Sequence, residues 1–191
     1  MPNLTHPFVL TTDKWEIYRK HLKSLDPDSL TCRFSYHATE YMIDKMIDEW
    51  AAKDVDTIIA VKDIEGNIAG ICHIAINNDE EAEIGLSIDK KYQRHGAGSD
   101  LLLFALRWCQ NRNYNWVYMH CLSYNDKMVR LLHKHNIGIV REGPDSTAKI
   151  SIPTPTSASV GAEWFDKQIG LVDRAFIRNQ QIIDACKKMW T

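Results

Sequence analysis

A chain of 191 residues and 22.0 kDa is long enough for one domain with a substantial core. Its net charge of −2, with acids and bases interspersed, argues against nucleic acid as the main partner. No stretch is apolar for the length of a membrane span, and Met1-Pro2-Asn3-Leu4-Thr5-His6 lacks the basic and apolar regions of a signal peptide, so a cytoplasmic protein with no membrane partner is expected. The five cysteines (Cys32, Cys72, Cys109, Cys121, Cys186) form no C-x-x-C pair and sit mostly in apolar segments, which predicts free buried thiols and no zinc site.

In chain order, Phe8 to Thr11 reads as a short strand. A helix follows from about Asp13 to Leu25, with Trp15, Tyr18, Leu22 and Leu25 on one face and Thr12 or Asp13 as its cap. Asp26-Pro27-Asp28 ends it. Leu30 to Phe34 reads as an extended piece, and Thr39 to Ala52 as a second helix carrying Met42, Ile43, Met46, Ile47 and Trp50. Three strands come next in hairpin succession: Thr57 to Lys62, Ile68 to Ile76, and a strand through Glu83. The turns between them are Asp63-Ile64-Glu65-Gly66-Asn67 and Asn77-Asn78-Asp79.

The third strand alternates strictly: Ile84, Leu86 and Ile88 fall on one face, Glu83, Gly85 and Ser87 on the other. Beyond it, Gln93-Arg94-His95-Gly96-Ala97-Gly98 leads into a helix expected to begin near Gly98 or Ser99, with Leu101, Leu102, Ala105, Leu106 and Cys109 as its apolar stripe. Two glycines ahead of a helix leave backbone N–H groups bare beside the positive end of the helix dipole, a seat for a phosphate or pyrophosphate. A P-loop would end in Gly-Lys-Ser/Thr, but Gly98 is followed by Ser99-Asp100. A dinucleotide fingerprint would place a small residue where Leu101 stands and an acid near Asn115 to His120, where there is none. The six residues alone fit a ligand-free turn as well as a ligand seat.

The remaining elements are a strand from Trp116 to Cys121, a helix from Asp126 to about His135 capped by Asn125, and strands over Ile137 to Arg141 and Ala148 to Ile152. The order β-α-α-β-β-β-α-β-α-β-β predicts a mixed, mostly antiparallel sheet flanked by helices, residues 1–152. Pro153-Thr154-Pro155-Thr156 then stops the sheet. Residues 153–191 hold this leader and an amphipathic helix from Val160 to Met189, packed on the domain or on a partner. Its single stripe is expected to use Trp164, Leu171, Ala175 and Ile182, widened by Val172, Phe176 and Ile183. Monomer and homodimer are both open.

Gln93-x-x-Gly96-x-Gly98 resembles the pyrophosphate loop of the GCN5-related N-acetyltransferase (GNAT) superfamily. Asn125-x-x-Met128-x-x-Leu131-x-x-Lys134 is similar to that superfamily's later signature, and the interval between the two leaves room for one helix and one strand. The likeness spans roughly residues 28 to 152. It implies acetyl-CoA as cosubstrate and direct attack of a primary amine on the thioester, with no metal. Leu86 and Ile88 would meet the pantetheine arm through their backbone, and Gln93, Arg94, His95, Gly96, Ala97, Gly98, Ser99 and Asn125 would hold the rest of the cofactor. The acceptor would be a small amine, an amino acid or a protein amine.

An ammonium with pKa near 10 must lose a proton before it attacks. Glu83, on the central strand five residues ahead of the loop region, stands where related enzymes often place a catalytic glutamate, and Gly85 beside it is expected to leave room for the substrate. Where many members carry a tyrosine that protonates the departing thiolate, this chain has Leu132; His135-Asn136-Ile137 replaces the usual glycine turn. Tyr124 and His133 are the nearest polar groups; Tyr124 is expected to be a packed strand-end aromatic and His133 a solvated helix residue. Cys121 has no activating histidine, since His120 points to the opposite face. A second function class stays open on the missing tyrosine: an acyl-CoA-binding interaction module with little or no catalysis.

Overall fold

Side-chain alternation along the central strands builds a core on each face of one sheet. The computed structural model describes residues 3–189, with the backbone alone for Glu142 and residues 180–189. The chain runs β1 (Phe8–Val9), α1 (Lys14–Ser24), α2 (Pro27–Phe34), α3 (Glu40–Lys53), β2 (Thr57–Lys62), β3 (Ile68–Ile76), β4 (Glu81–Ile88) and a 3₁₀ turn over Lys90–Tyr92. It continues with α4 (Ala97–Gln110), β5 (Trp116–Leu122), α5 (Asp126–Lys134), β6 (Val140–Glu142), β7 (Asp145–Ser151) and α6 (Ser157–Met189). The strands form one seven-stranded sheet in the order β1-β2-β3-β4-β5-β7-β6. Only the β4–β5 pair is parallel.

On one face Ile59, Val61, Cys72 and Ile74 pack with Leu101, Leu102 and Ala105 of α4. On the other, Ile58, Ala60 and Ile71 pack with Tyr18 and Leu22 of α1 and with Ile43 and Ile47 of α3. Each fully buried side chain of this size is worth about 1.5–3 kcal/mol, so the alternation fixes which face each helix covers.

The parallel pair is short. It pairs Glu81 with Trp116, Ala82 with Val117 and Glu83 with Tyr118, and goes no further. From Ile84 onward β4 stays on β3 and parts from β5. The β5-facing backbone of Gly85 to Ile88 is left without a strand neighbour, at the centre of the sheet. A bound chain can use such an edge as an added strand.

Several sequence expectations need correcting. Leu30 to Phe34 is not extended but lies in α2, because Asp26 acts as an N-cap, accepting from the Ser29 N–H at 3.1 Å, and Pro27 takes the first helical position. The Asp-Pro pair follows the end of α1 as expected and also starts the next helix. Helix α4 begins at Ala97, a residue or two earlier than expected, with Gly96 as N-cap at φ 92°. The last two strands are shifted to Val140–Glu142 and Asp145–Ser151.

The C-terminal helix forms as expected but presents the opposite face. Trp164, Leu171, Val172, Ala175 and Phe176 are exposed, while Glu163, Asp166, Gly170 and Ile177 are buried against the domain. The reason is ionic. Asp166 pairs with Arg107 of α4 and with His6, and Glu163 accepts from Asn111 at 2.6 Å and from Arg112 at 3.1 Å. Gly170 lets the helix approach Phe8 closely, an added Cβ there lying 3.4 Å from the Phe8 Cβ. Ile182, Ile183, Cys186 and Met189 lie outside the residues whose side chains are described.

Candidate active site

The opening between β4 and β5 leads into two cavities. The larger, about 680 Å³, runs from Leu86 and Ile88 past the loop to α5. The loop is shaped by two left-handed residues, Arg94 at φ 66° and Gly96 at φ 92°. At Gly96 that conformation is available without strain only to glycine. The first bond inside α4 is Asp100 N–H to the Gly96 carbonyl at 3.1 Å. The N–H groups of Ala97, Gly98 and Ser99 therefore have no partner within the helix and stand at its positive end.

Leu86, Ile88, Gln93, Arg94, Gly96, Gly98, Ser99 and Asn125 all line this cleft; His95 and Ala97 do not. His95 is exposed, and Ala97 is turned into the core beneath α4. Gln93 faces inward: its amide donates to the Ile88 carbonyl at 3.0 Å and its oxygen accepts from Lys127 at 2.6 Å, so it braces the strand against the loop. Ser99 accepts from Lys134 at 3.1 Å, tying α4 to α5. The Asn125 side chain caps α5 through the Met128 N–H at 3.2 Å. Sequence reasoning missed Lys127 and Arg130 and gave Lys134 a place in the signature but no binding role; all three line the cleft with Lys90 and Arg94. Their spacing of three and four places them on one face of α5, a signal present in the sequence.

The second cavity, about 270 Å³, lies on the α1–α3 side of the same strand. Glu83, Gly85, His73, Trp50, Phe34 and His120 line it, and it shares Cys32, Arg33, Leu86 and Met128 with the larger one. Those four shared residues mark where the two cavities meet. The room expected over Gly85 is filled: the guanidinium of Arg33 lies against it, and a Cβ on Gly85 would fall 2.2 Å from the Arg33 Cζ. Arg33 reaches this position because α2 is a helix and packs against β4.

His73 is directly across the ladder from Gly85. Its Nε2 is 2.9 Å from Asp56 Oδ2, and its ring sits among Trp15, Tyr18 and Trp50. Burial holds His73 below the ordinary histidine value, against the pull of Asp56, and the Arg33 charge adds to the lowering. The imidazole is therefore neutral at pH 7. Burial raises Asp56, but the bonds from His73 and the Ile76 N–H outweigh it and leave Asp56 below the usual carboxylate value.

Leu132 is fully buried in the core and does not line the cleft. Asn136 supplies the turn that the family makes with glycine: its φ is 57°, a conformation asparagine tolerates. Tyr124 is not packed as expected but 67 % exposed, because it lies in the turn between β5 and α5, whereas His133 is exposed as expected. Burial raises the Cys121 thiol above its ordinary value, which makes it a poor nucleophile. Among the described residues no group of three or more His, Cys, Asp or Glu could hold a metal ion, and no helix is long and apolar enough to cross a membrane.

A splayed parallel pair inside an otherwise antiparallel sheet, with a glycine loop and helix N-terminus beside the opening, defines an acetyltransferase architecture. The family model described as the acetyltransferase (GNAT) family matches residues 22–137, and the chain belongs to that family. The fold is similar to that of spermidine N-acetyltransferase from Vibrio cholerae, solved with CoA and spermine. That match has a TM-score of 0.59 at 17% identity, over 78% of this chain and 95% of that one. The GNAT domain of S. lividans PAT matches with a TM-score of 0.63 at 18% identity, over 76% and 89% of the two chains. The protein yncA of Salmonella typhimurium, solved with acetyl-CoA, matches with a TM-score of 0.57 at 12% identity, over 80% and 98%. No curated protein matches the chain in sequence.

Proposed function

We propose that the protein is an acetyl-CoA-dependent N-acetyltransferase that acts on a primary amine by direct attack. The observation that carries this reading is the meeting of the two cavities at Cys32, Arg33, Leu86 and Met128, where β4 has parted from β5. The larger cleft fits coenzyme A. Bare N–H groups at the start of α4 suit the pyrophosphate, six basic residues line the same cleft (Arg33, Lys90, Arg94, Lys127, Arg130 and Lys134), and the free edge of β4 at Leu86 and Ile88 suits the pantetheine amides.

In this reading Glu83 accepts a proton from the ammonium of the acceptor in the smaller cavity. The neutral nitrogen forms a bond to the acetyl carbon, the carbon–sulfur bond breaks, and the nitrogen gives its second proton to water as it becomes the amide. The thiolate then takes its proton from water, because Leu132 offers none and a thiolate leaves without help more readily than an alkoxide or amide. His73 stands beside the same cavity and stays neutral, with Asp56 fixing its ring. Thiol release from acetyl-CoA against a panel of amines, amino acids and peptides tests the proposal. Release with at least one acceptor is expected. CoA binding with no release on any acceptor would replace the transferase with a binding module.

A further inference from the structure

Among the described residues Arg33 is the one cation that lines both cavities. Its Nη2 donates to the Tyr18 hydroxyl at 3.2 Å, and its guanidinium stands 4.9 Å from the centre of the Phe34 ring. Its Nε is buried with no hydrogen-bond partner. Among the described residues no carboxylate forms an ion pair with it. Asp56, which holds His73, is already committed to that ring and to the Ile76 N–H. A guanidinium with an unpartnered N–H and no carboxylate beside it is costly to hold, and an anion placed against its cavity-facing side offsets part of that cost.

The rest of the cavity narrows what the anion is. Glu83 and Gly85 lie on the same face of β4, two positions apart, so the carboxylate and the guanidinium over Gly85 are separated by about 7 Å of strand. Among the described lining residues, Glu83 is the only acid and Arg33 the only residue with a permanent positive charge. His73 is neutral, and Trp50 and Phe34 supply apolar wall. A polyamine would set its charges beside the half-buried Arg33 guanidinium with a single carboxylate in return. A zwitterion matches both ends.

We infer that the acceptor is an amino acid, its carboxylate bound by Arg33 and its amine presented to Glu83. This rests on the transferase reading above and narrows its acceptor to one class. Arg33 is then a specificity-determining residue that touches the substrate away from the reacting atoms.

The test uses pairs of acceptors that differ only by the carboxylate: each amino acid with its decarboxylated amine, such as lysine with cadaverine and phenylalanine with 2-phenylethylamine, with spermidine as a further comparison. For the preferred side chain, kcat/KM should favour the acid by about 10–100-fold, as expected for a charge-assisted hydrogen bond. Arg33→Gln should bring that ratio to about one, mainly through KM of the acid, and Arg33→Lys should restore part of it. Gly85→Ala, which displaces the guanidinium from the opposite side, should also lower the ratio.

Equal rates within every pair, or faster turnover of spermidine, would overturn the inference while leaving the transferase standing. An Arg33→Gln protein that loses both members of a pair alike would give Arg33 a purely structural role and overturn it too. Calorimetry of amino acids against the CoA-loaded protein separates the remaining case. Binding that depends on Arg33 with no turnover supports the anion site and removes the transferase reading. Neither binding nor turnover removes both.

Discussion

The two cavities that meet on β4 are built in different ways. The larger is built around one contiguous stretch, the end of β4, the loop from Gln93 to Gly96 and the first turn of α4 with its bare N–H groups, faced by one side of α5 and by Asp26 to Arg33 of the α2 segment. The smaller is made of side chains from α2, α3, β3, β4 and β5, brought together across the chain from Cys32 to Met128. Recognition by backbone leaves a local mark in the sequence, because glycine and caps are required at fixed offsets. Recognition by scattered side chains leaves none. The two halves should accordingly differ in how they fail.

The largest effect is expected at the smaller cavity. Glu83→Gln should lower turnover by ~10²–10⁴, the range for a lost general base, with acetyl-CoA affinity retained. Wild-type turnover across the pH range in that variant would shift proton removal to His73 or to water.

Next comes the joint between the halves. His21 of α1 is buried, its Nε2 lying 3.1 Å from the Ser87 hydroxyl of β4 and 3.3 Å from the Ser87 carbonyl. Burial lowers its pKa from 6.5 to about 4, the Ser87 hydrogen bond opposing the shift. Between those values the unfolded chain takes up a proton that the folded chain refuses. Stability should therefore fall by about 3 kcal/mol as pH drops from 6.5 to 4, and level off below. His73, lowered in the same sense, adds to the slope. Urea unfolding at a series of pH values measures the loss, and His21→Gln should flatten it. An unchanged slope would place the titration elsewhere.

Removal of α6 asks whether the half that carries the loop supports itself. Truncation before Ser157 takes away the buried Ile177 and the acids that pair with Arg107 and Arg112 behind α4. A loss of about 2 kcal/mol, or roughly 5 °C in Tm, is expected. A truncated protein with the same Tm but a smaller mass by light scattering would make the exposed Trp164–Leu171–Phe176 side a dimerisation arm instead.

The smallest effect is at the loop. Gly96→Val forces a β-branched residue into φ 92° at the mouth of the larger cleft. Affinity for CoA by calorimetry should weaken by about tenfold or more while the protein stays folded. Unchanged affinity would remove the seat from this loop.

The sequence by itself determined the sheet and the larger cleft. Alternation on β2, β3 and β4 fixed two faces, Gly96 and Gly98 marked the loop, and Asn125 marked the start of α5, because each is set by bonds between residues a few positions apart. It also carried the signal for α2 in Asp26-Pro27, although that pair reads as the end of α1 as readily as the start of a new helix. Tertiary structure alone decided the rest. Arg33 covers Gly85 because α2 crosses β4, His73 is held by Asp56 from across a hairpin, and α6 turns its acids inward because Arg107, Arg112 and His6 await them. The period of an amphipathic helix shows where its faces are, but which face is buried depends on the charges opposite, and those lie 51 to 160 residues away.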